Sequence, residues 1–290
     1  MEASGRSKFQ PGHNLAARRA SFAVKPHACG RTAAATILAR MTTAPASSAT
    51  PVLLPGLACD AALFEHQAAA LRACYGAARV QVSDVHTRAA SLPEMAAQLL
   101  AETRGALVLI GCSMGGMVAL EALRQAPQRI AALALLGSSA RADVAAMVFL
   151  RREAIKRFEA GRMDEVLRAN LPAAFHPRHA GDAALVESYF QMIRRAGAAQ
   201  LIAQNRAVMA RADLRPHLGA IRCPTLVMVG EADALTPLAE AREMADAIPG
   251  ARLVQLPECG HMLTLEAPQR VSDTLLVWLN GLDAQPVTPA

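Results

Sequence analysis

Between residue 51 and the C-terminal region, short apolar runs alternate with longer segments of helical periodicity. Six runs are candidate strands, at residues 51–57, 78–82, 106–110, 130–136, 224–229 and 251–256. The candidate helices lie at residues 61–74, 91–104, 114–125, 238–247 and 262–279. Strands that are apolar throughout are buried on both faces, as in a parallel sheet covered by helices. The pattern therefore predicts an α/β fold, and 53% hydrophobic residues are ample for one large core.

One long segment interrupts this alternation. Residues 141–218 show helical spacing and mixed charges, with Pro172 and Pro177 as breakers, and contain no good strand candidate. We interpret the segment as a helical insertion between two consecutive strands of the sheet. An apolar run within it, residues 147–150, either walls a pocket or packs the insertion onto the sheet.

The first 50 residues differ in composition from the rest. They are rich in Arg, Ala, Ser, Pro and Gly without sustained periodicity, so we expect a disordered extension. One explanation is an over-extended reading frame whose translation begins at Met41. The alternative is an organellar transit peptide, which is also basic and poor in acids. The Ala- and Arg-rich composition suggests a GC-rich bacterial genome and favours the first explanation. We therefore expect a cytoplasmic protein of bacterial origin.

The excess positive charge lies in this extension. Residues 1–40 hold seven basic side chains and one acidic side chain, whereas the rest of the chain holds 23 of each sign. The body therefore lacks a basic surface for nucleic acid, and only a salt-dependent contact through the tail remains as an alternative. No apolar run reaches the roughly 18 residues of a transmembrane helix, so we expect no membrane contact.

The cysteines show no pattern typical of a metal or redox site. They form neither CxxC pairs nor zinc-ligand spacings with histidine, so we expect buried free thiols and no metal. The six are Cys29, Cys59, Cys74, Cys112, Cys223 and Cys259.

The sequence GCSMGG at residues 111–116 contains the pattern Gly-x-Ser-x-Gly. It follows one candidate strand and begins a candidate helix, which is the setting of a nucleophile elbow. On such a tight turn, glycines two positions before and after the serine remove side chains that would collide. Ser113 is therefore the candidate nucleophile, next to a helix N-terminus that stabilises a developing oxyanion. The alternative is an ordinary strand–helix turn that contains a serine.

A serine nucleophile needs a general base, and His261 is the candidate. It follows the last candidate strand, so it is expected at the same carboxyl edge of the sheet as Ser113. His86 also follows a candidate strand and is the competing base or a pocket residue.

The imidazole in turn needs a carboxylate that fixes its tautomer, and Asp233 is the candidate. It follows the strand at 224–229, and Thr236 with Pro237 resembles the cap and first turn of the next helix, which leaves Asp233 free. Glu231 and Asp143 are the alternative acids.

In the chain order Ser, Asp, His and in four motifs, the sequence resembles members of the α/β-hydrolase superfamily. The motifs are LPGL at 54–57, GCSMGG at 111–116, GEAD at 230–233 and Gly-His at 260–261, and the resemblance covers residues 51–279. It implies a mostly parallel sheet of about eight strands flanked by helices. The hydrolase core would span residues 51–140 and 219–282, with a helical cap at 141–218 and a C-terminal tail at 283–290.

The resemblance also implies an oxyanion hole made of the backbone N–H groups of Leu57 and Met114. Many relatives carry His-Gly where this chain has Pro55-Gly56, but a backbone donor tolerates that difference. A serine at the elbow disfavours epoxide and halide chemistry, for which relatives use an aspartate.

We therefore expect a serine hydrolase that cleaves a carboxylic ester, thioester or lactone of a small to medium apolar substrate through an acyl-enzyme. C–C bond hydrolysis and cofactor-free perhydrolysis on the same triad stay open, as does a non-catalytic small-ligand receptor. No metal or organic cofactor is expected, and the expected partner is a small-molecule substrate. The oligomeric state and the natural substrate stay open.

Overall fold

The computed structural model describes residues 49–283. The expectations for the N-terminal extension, for Met41 and for the end of the C-terminal tail lie outside the described residues. The described strands are β1 (Thr50–Leu54), β2 (Gln81–Val82), β3 (Leu107–Cys112), β4 (Ile130–Leu136), β5 (Thr225–Gly230) and β6 (Arg252–Leu256). They form one sheet in the order β2-β1-β3-β4-β5-β6, and every neighbouring pair is parallel.

Each of the six candidate runs overlaps one of these strands, which confirms the predicted α/β class. The count of about eight strands is wrong for the described residues, which form six. The figure of eight came from the family resemblance, whereas the pattern of apolar runs itself predicted six strands. The segments between them are helices, turns and loops.

The middle of the sheet is its most buried part. All residues of β3 and β5 are buried, whereas the edge strand β6 is only partly covered. The parallel register pairs Leu54 with Gly111 and Cys112 with Leu136. The carboxyl ends of the strands therefore meet at one edge, and residues that follow different strands become neighbours there.

Helices flank the sheet, and further helices make up the long segment between β4 and β5. The core helices are α1 (Glu65–Tyr75), α2 (Leu92–Glu102), α3 (Met114–Gln125), α9 (Leu238–Ala247), α10 (Leu263–Glu266) and α11 (Pro268–Asp283). Those between β4 and β5 are α4 (Ala145–Glu159), α5 (Met163–Ala174), α6 (Pro177–Ala180), α7 (Ala183–Met209) and α8 (Arg215–Leu218). Non-helical backbone at Gly197 kinks α7. We call residues 141–218 the helical insertion.

Two further expectations can be compared with the described chain. The five cysteines between residues 49 and 283 are free thiols, and all but Cys223 are buried. No helix in the same range is long and apolar enough to cross a membrane.

The glycines of the GCSMGG segment let three backbone segments pack together. A Cβ on Gly115 would collide with the carbonyl group of Leu54 in β1, and one on Gly111 would collide with the carbonyl of Gly115. A Cβ on Gly116 would lie 2.6 Å from Oγ of Ser138. The first turn of α3 therefore packs on β1 and β3 at backbone distance, which only glycine permits.

We expect Gly115→Ala to lower the free energy of unfolding by about 3 kcal/mol or more, because a backbone carbonyl cannot move aside like a side chain. Urea denaturation measures the effect. Gly281→Ala is the matched control, because Gly281 lies in α11 with no atom within 4 Å of the added Cβ. That variant should be as stable as the parent chain or more stable by up to about 1 kcal/mol. Equal stability of both variants would contradict the packing argument.

Candidate active site

Ser113 lies on the turn between β3 and α3 with a strained backbone. Its φ of 53° and ψ of −117° lie in a region that non-glycine residues rarely adopt. Its N–H donates to the carbonyl of Leu136 at 2.9 Å, and its carbonyl accepts from Oγ of Ser138 at 2.8 Å. These two hydrogen bonds hold the strained turn in place.

His261 lies beside Ser113, as the strand order predicts. Its Nε2 is 3.0 Å from Oγ of Ser113, although the two residues are 148 positions apart. Its backbone N–H donates to the carbonyl of Ala174 in α5 at 3.0 Å, so the helical insertion fixes this loop. The ring is buried, and its Nε2 faces the serine hydroxyl.

Asp233 holds the other side of the imidazole. Its Oδ1 and Oδ2 lie 3.0 and 2.9 Å from Nδ1 of His261. Oδ1 also accepts from the N–H groups of Leu235 and Thr236, and Oδ2 accepts from the Thr236 hydroxyl at 2.8 Å. A carboxylate only accepts when ionised, so Nδ1 carries the proton and Nε2 is free to accept one.

The carboxyl of Asp233 is ionised at neutral pH despite its burial. Burial raises its pKa, but the charge of His261 and the hydrogen bonds from His261 and Thr236 lower it further, so the pKa lies below its usual value. The carboxylate can therefore stabilise a positive charge that forms on the imidazole during proton transfer.

The alternative site residues have other partners. Asp143 forms ion pairs with Arg151 and Arg211, each with its closest atoms 2.7 Å apart. Glu231 is exposed, and its Oε1 lies 3.8 Å from Nε2 of His176. Neither acid is bonded to His261.

Two residues have roles that the sequence did not reveal. His86 is buried, and its Nε2 donates to the carbonyl of Cys59 at 2.8 Å, so it is not paired with Ser113. The interpretation of Thr236 as a helix cap is wrong, because its hydroxyl donates to Asp233 while α9 has no side-chain cap. The charged carboxylate is a strong acceptor for this hydroxyl hydrogen. Helix α9 begins at Leu238 with Pro237 as its N-cap residue, so Thr236 lies outside the cap position.

The backbone N–H groups of Leu57 and Met114 lie where an oxyanion hole is expected. Met114 directly follows Ser113, and the loop of Leu57 packs on the same turn, since a Cβ on Gly56 would lie 3.3 Å from Cβ of Ser113. Within residues 49–283, no hydrogen bond is donated by either N–H group. Both donors are therefore free for a substrate oxygen.

A cavity of about 590 Å³ lies between the core and the helical insertion, with Ser113 and His261 in its wall. Met147 and Leu150 line it, so two residues of the apolar run 147–150 contribute to the pocket wall. Other apolar side chains of the wall are Met114, Met117, Phe158, Val166, Ile193 and Leu201. The cavity therefore suits an apolar ligand group held against the serine.

No group of three or more possible ligands for a metal ion exists within residues 49–283.

We expect Asp233→Asn to slow the labelling of Ser113 by a fluorophosphonate probe by about three to four orders of magnitude, because the amide favours the wrong tautomer of His261. The matched variant is Asp143→Asn. It should lower the free energy of unfolding by about 3 kcal/mol, since Arg211 loses its buried partner, but change labelling less than tenfold. The same loss of labelling in both variants would contradict the assignment of the acid to Asp233.

Comparisons with known proteins agree with this fold. The family model for the alpha/beta hydrolase fold matches residues 75–268, more than half of the chain. The dihydrolipoyllysine-residue acetyltransferase component of the acetoin cleaving system of Pseudomonas putida is 30% identical over 176 residues, which are 59% of this chain and 45% of that protein. A pimeloyl acyl-carrier-protein methyl ester esterase of Aromatoleum aromaticum is 31% identical over 185 residues, covering 59% of this chain and 73% of the esterase.

Among solved structures, a thermophilic esterase from Thermogutta terrifontis superimposes with a TM-score of 0.73 and 28% identity. The match covers 82% of this chain and 92% of the esterase. An enol-lactonase from Burkholderia xenovorans shares the fold, with a TM-score of 0.70 and 24% identity. The chain belongs to the α/β-hydrolase family, and it is an enzyme with a hydrolase function.

Proposed function

We propose that this enzyme hydrolyses a carboxylic ester, thioester or lactone of a small to medium apolar substrate, with Ser113 as nucleophile. The observation that carries the proposal is the continuous line of hydrogen bonds from Asp233 through His261 to Oγ of Ser113. That line reaches an apolar cavity with two free backbone donors beside it.

The first half of the reaction forms an acyl-enzyme. His261 accepts the hydroxyl proton at Nε2 while Oγ of Ser113 attacks the substrate carbonyl carbon. The N–H groups of Leu57 and Met114 stabilise the negative oxygen of the tetrahedral intermediate. The bond to the leaving group then breaks, and that group departs with the proton from Nε2.

The second half restores the enzyme. Water gives a proton to Nε2 of His261 and attacks the acyl carbon, and a second tetrahedral intermediate forms in the same hole. Its collapse breaks the bond to Oγ, which regains the proton. Asp233 stays ionised throughout and stabilises the imidazolium in both halves.

The cavity supports an apolar substrate group, and the relatives support ester hydrolysis. The wall that faces Ser113 is mainly apolar, and the relatives from Aromatoleum aromaticum and Thermogutta terrifontis are esterases. A complete triad disfavours a receptor that has only kept the fold, because such a receptor has no need of the proton relay.

We expect Ser113→Ala to abolish labelling by a fluorescent fluorophosphonate and to lower the hydrolysis of p-nitrophenyl esters by about four orders of magnitude or more. The reason is that Ser113 provides the one hydroxyl group within residues 49–283 that is bonded to Nε2 of His261. Gel fluorescence and initial rates measure the two effects.

The control is Ser188→Ala, because Ser188 lies exposed on α7. That variant should label and turn over like the parent chain. A folded parent chain that neither labels nor hydrolyses short esters, thioesters or lactones would refute the proposed function.

A further inference from the structure

The loop that carries Leu57 is held from two sides by buried polar side chains outside the triad. Ala58, the next residue, is fully buried and has a φ of 55°, which is unfavourable for a residue with a Cβ. Such a backbone persists only where its surroundings hold it. Gln204 and His86 provide those surroundings.

Gln204 reaches the loop from α7 in the helical insertion. Its Oε1 accepts a hydrogen bond from the N–H of Ala58 at 2.6 Å, across 146 positions of the chain. Its Nε2 donates to the carbonyl of His86 at 2.8 Å. The side chain is only 1% exposed, and both ends of its amide are satisfied by these two bonds.

His86 holds the other side of the loop. Its Nε2 donates to the carbonyl of Cys59, and a carbonyl only accepts, so the proton is on Nε2. Burial lowers the pKa of His86, which outweighs the opposing effects of the Cys59 carbonyl and of the nearby acids. A neutral ring with its proton on Nε2 therefore bonds the loop at neutral pH.

From this network we infer that Gln204 and His86 are positioning residues for the oxyanion hole, and that the helical insertion thereby takes part in the chemical step. The Gln204 bond holds the N–H of the peptide group between Leu57 and Ala58, and the His86 bond holds the carbonyl of Cys59, two residues after Leu57. They therefore keep the Leu57 N–H directed at the position that the substrate oxygen occupies. The inference rests on the proposed function, since the direction of this N–H affects the rate only if attack by Ser113 creates an oxyanion on the substrate.

The first test is Gln204→Met, which keeps the length of the side chain and removes both hydrogen bonds. An oxyanion donor acts in the transition state and not in substrate binding, so kcat for p-nitrophenyl esters should fall by about tenfold to a hundredfold. KM should stay within about threefold. Burst titration of p-nitrophenol release gives the fraction of active enzyme, so that partly unfolded protein is not counted as slow enzyme.

Two variants control for stability and for contact with the insertion. Gln67→Met removes another buried glutamine, which donates to the carbonyls of Thr264 and Pro268 away from the cavity. Arg195→Met removes an exposed ion pair between the same helix α7 and Asp60, near the same loop. Both variants should keep kcat within about twofold of the parent value. A loss of kcat in Gln67→Met equal to that in Gln204→Met would overturn the inference.

A conservative variant separates the hydrogen bond of His86 from its bulk. His86→Gln places an N–H donor at a position similar to Nε2, and its kcat should stay within about threefold of the parent value. His86→Leu fills similar space without a donor, and its kcat should fall by about tenfold or more. Equal activity of the two variants would contradict the role of the bond to Cys59.

Hydrogen exchange of the loop gives a readout that does not depend on catalysis. In Gln204→Met, the backbone amides of Ala58 and Cys59 should exchange at least about ten times faster than in the parent chain and in Gln67→Met. Unchanged exchange would overturn the inference whatever the activity. Faster exchange in a chain without esterase activity would instead support the restraint of the loop and refute the proposed function alone.

Discussion

The close packing of backbone at the turn of Ser113 is the constraint on which the rest of the site depends. Gly111 and Gly115 let the first turn of α3 approach β1 and β3 without intervening side chains. This approach puts the serine hydroxyl beyond the end of β3 and brings the loop after β1 against it. The proposed nucleophile and both proposed oxyanion donors therefore belong to one rigid unit of the core.

The helical insertion forms hydrogen bonds with two loops beside Ser113, the loop of His261 and the loop of Leu57. The carbonyl of Ala174 accepts from the N–H groups of His261 and Met262, at 3.0 and 3.1 Å. The buried carboxylate of Glu266 accepts from the N–H groups of His176 and Gly260. Glu266 thus links the insertion to the residue before His261, and burial raises its pKa. On the other side of the cavity, Gln204 binds the loop of Leu57.

These contacts give the insertion two physical tasks. It provides much of the apolar wall of the cavity beside Ser113 and His261. It also holds the backbone of His261, the proposed general base, and the loop of Leu57, one of the proposed oxyanion donors. Substitutions in the insertion can therefore alter rate as well as substrate preference, although none of its residues belongs to the triad.

The sequence by itself determined the α/β class, the six strands and the meeting of Ser113, Asp233 and His261 at one sheet edge. Buried strands must be apolar and parallel strands share a carboxyl edge, so the pattern and the chain order were sufficient for these predictions. Only the tertiary structure decided that Asp143 pairs with arginines, that Thr236 bonds Asp233 and that Gln204 reaches Ala58. Such partners depend on how the insertion docks and on which acceptor a donor finds nearest, and local periodicity carries no information on either.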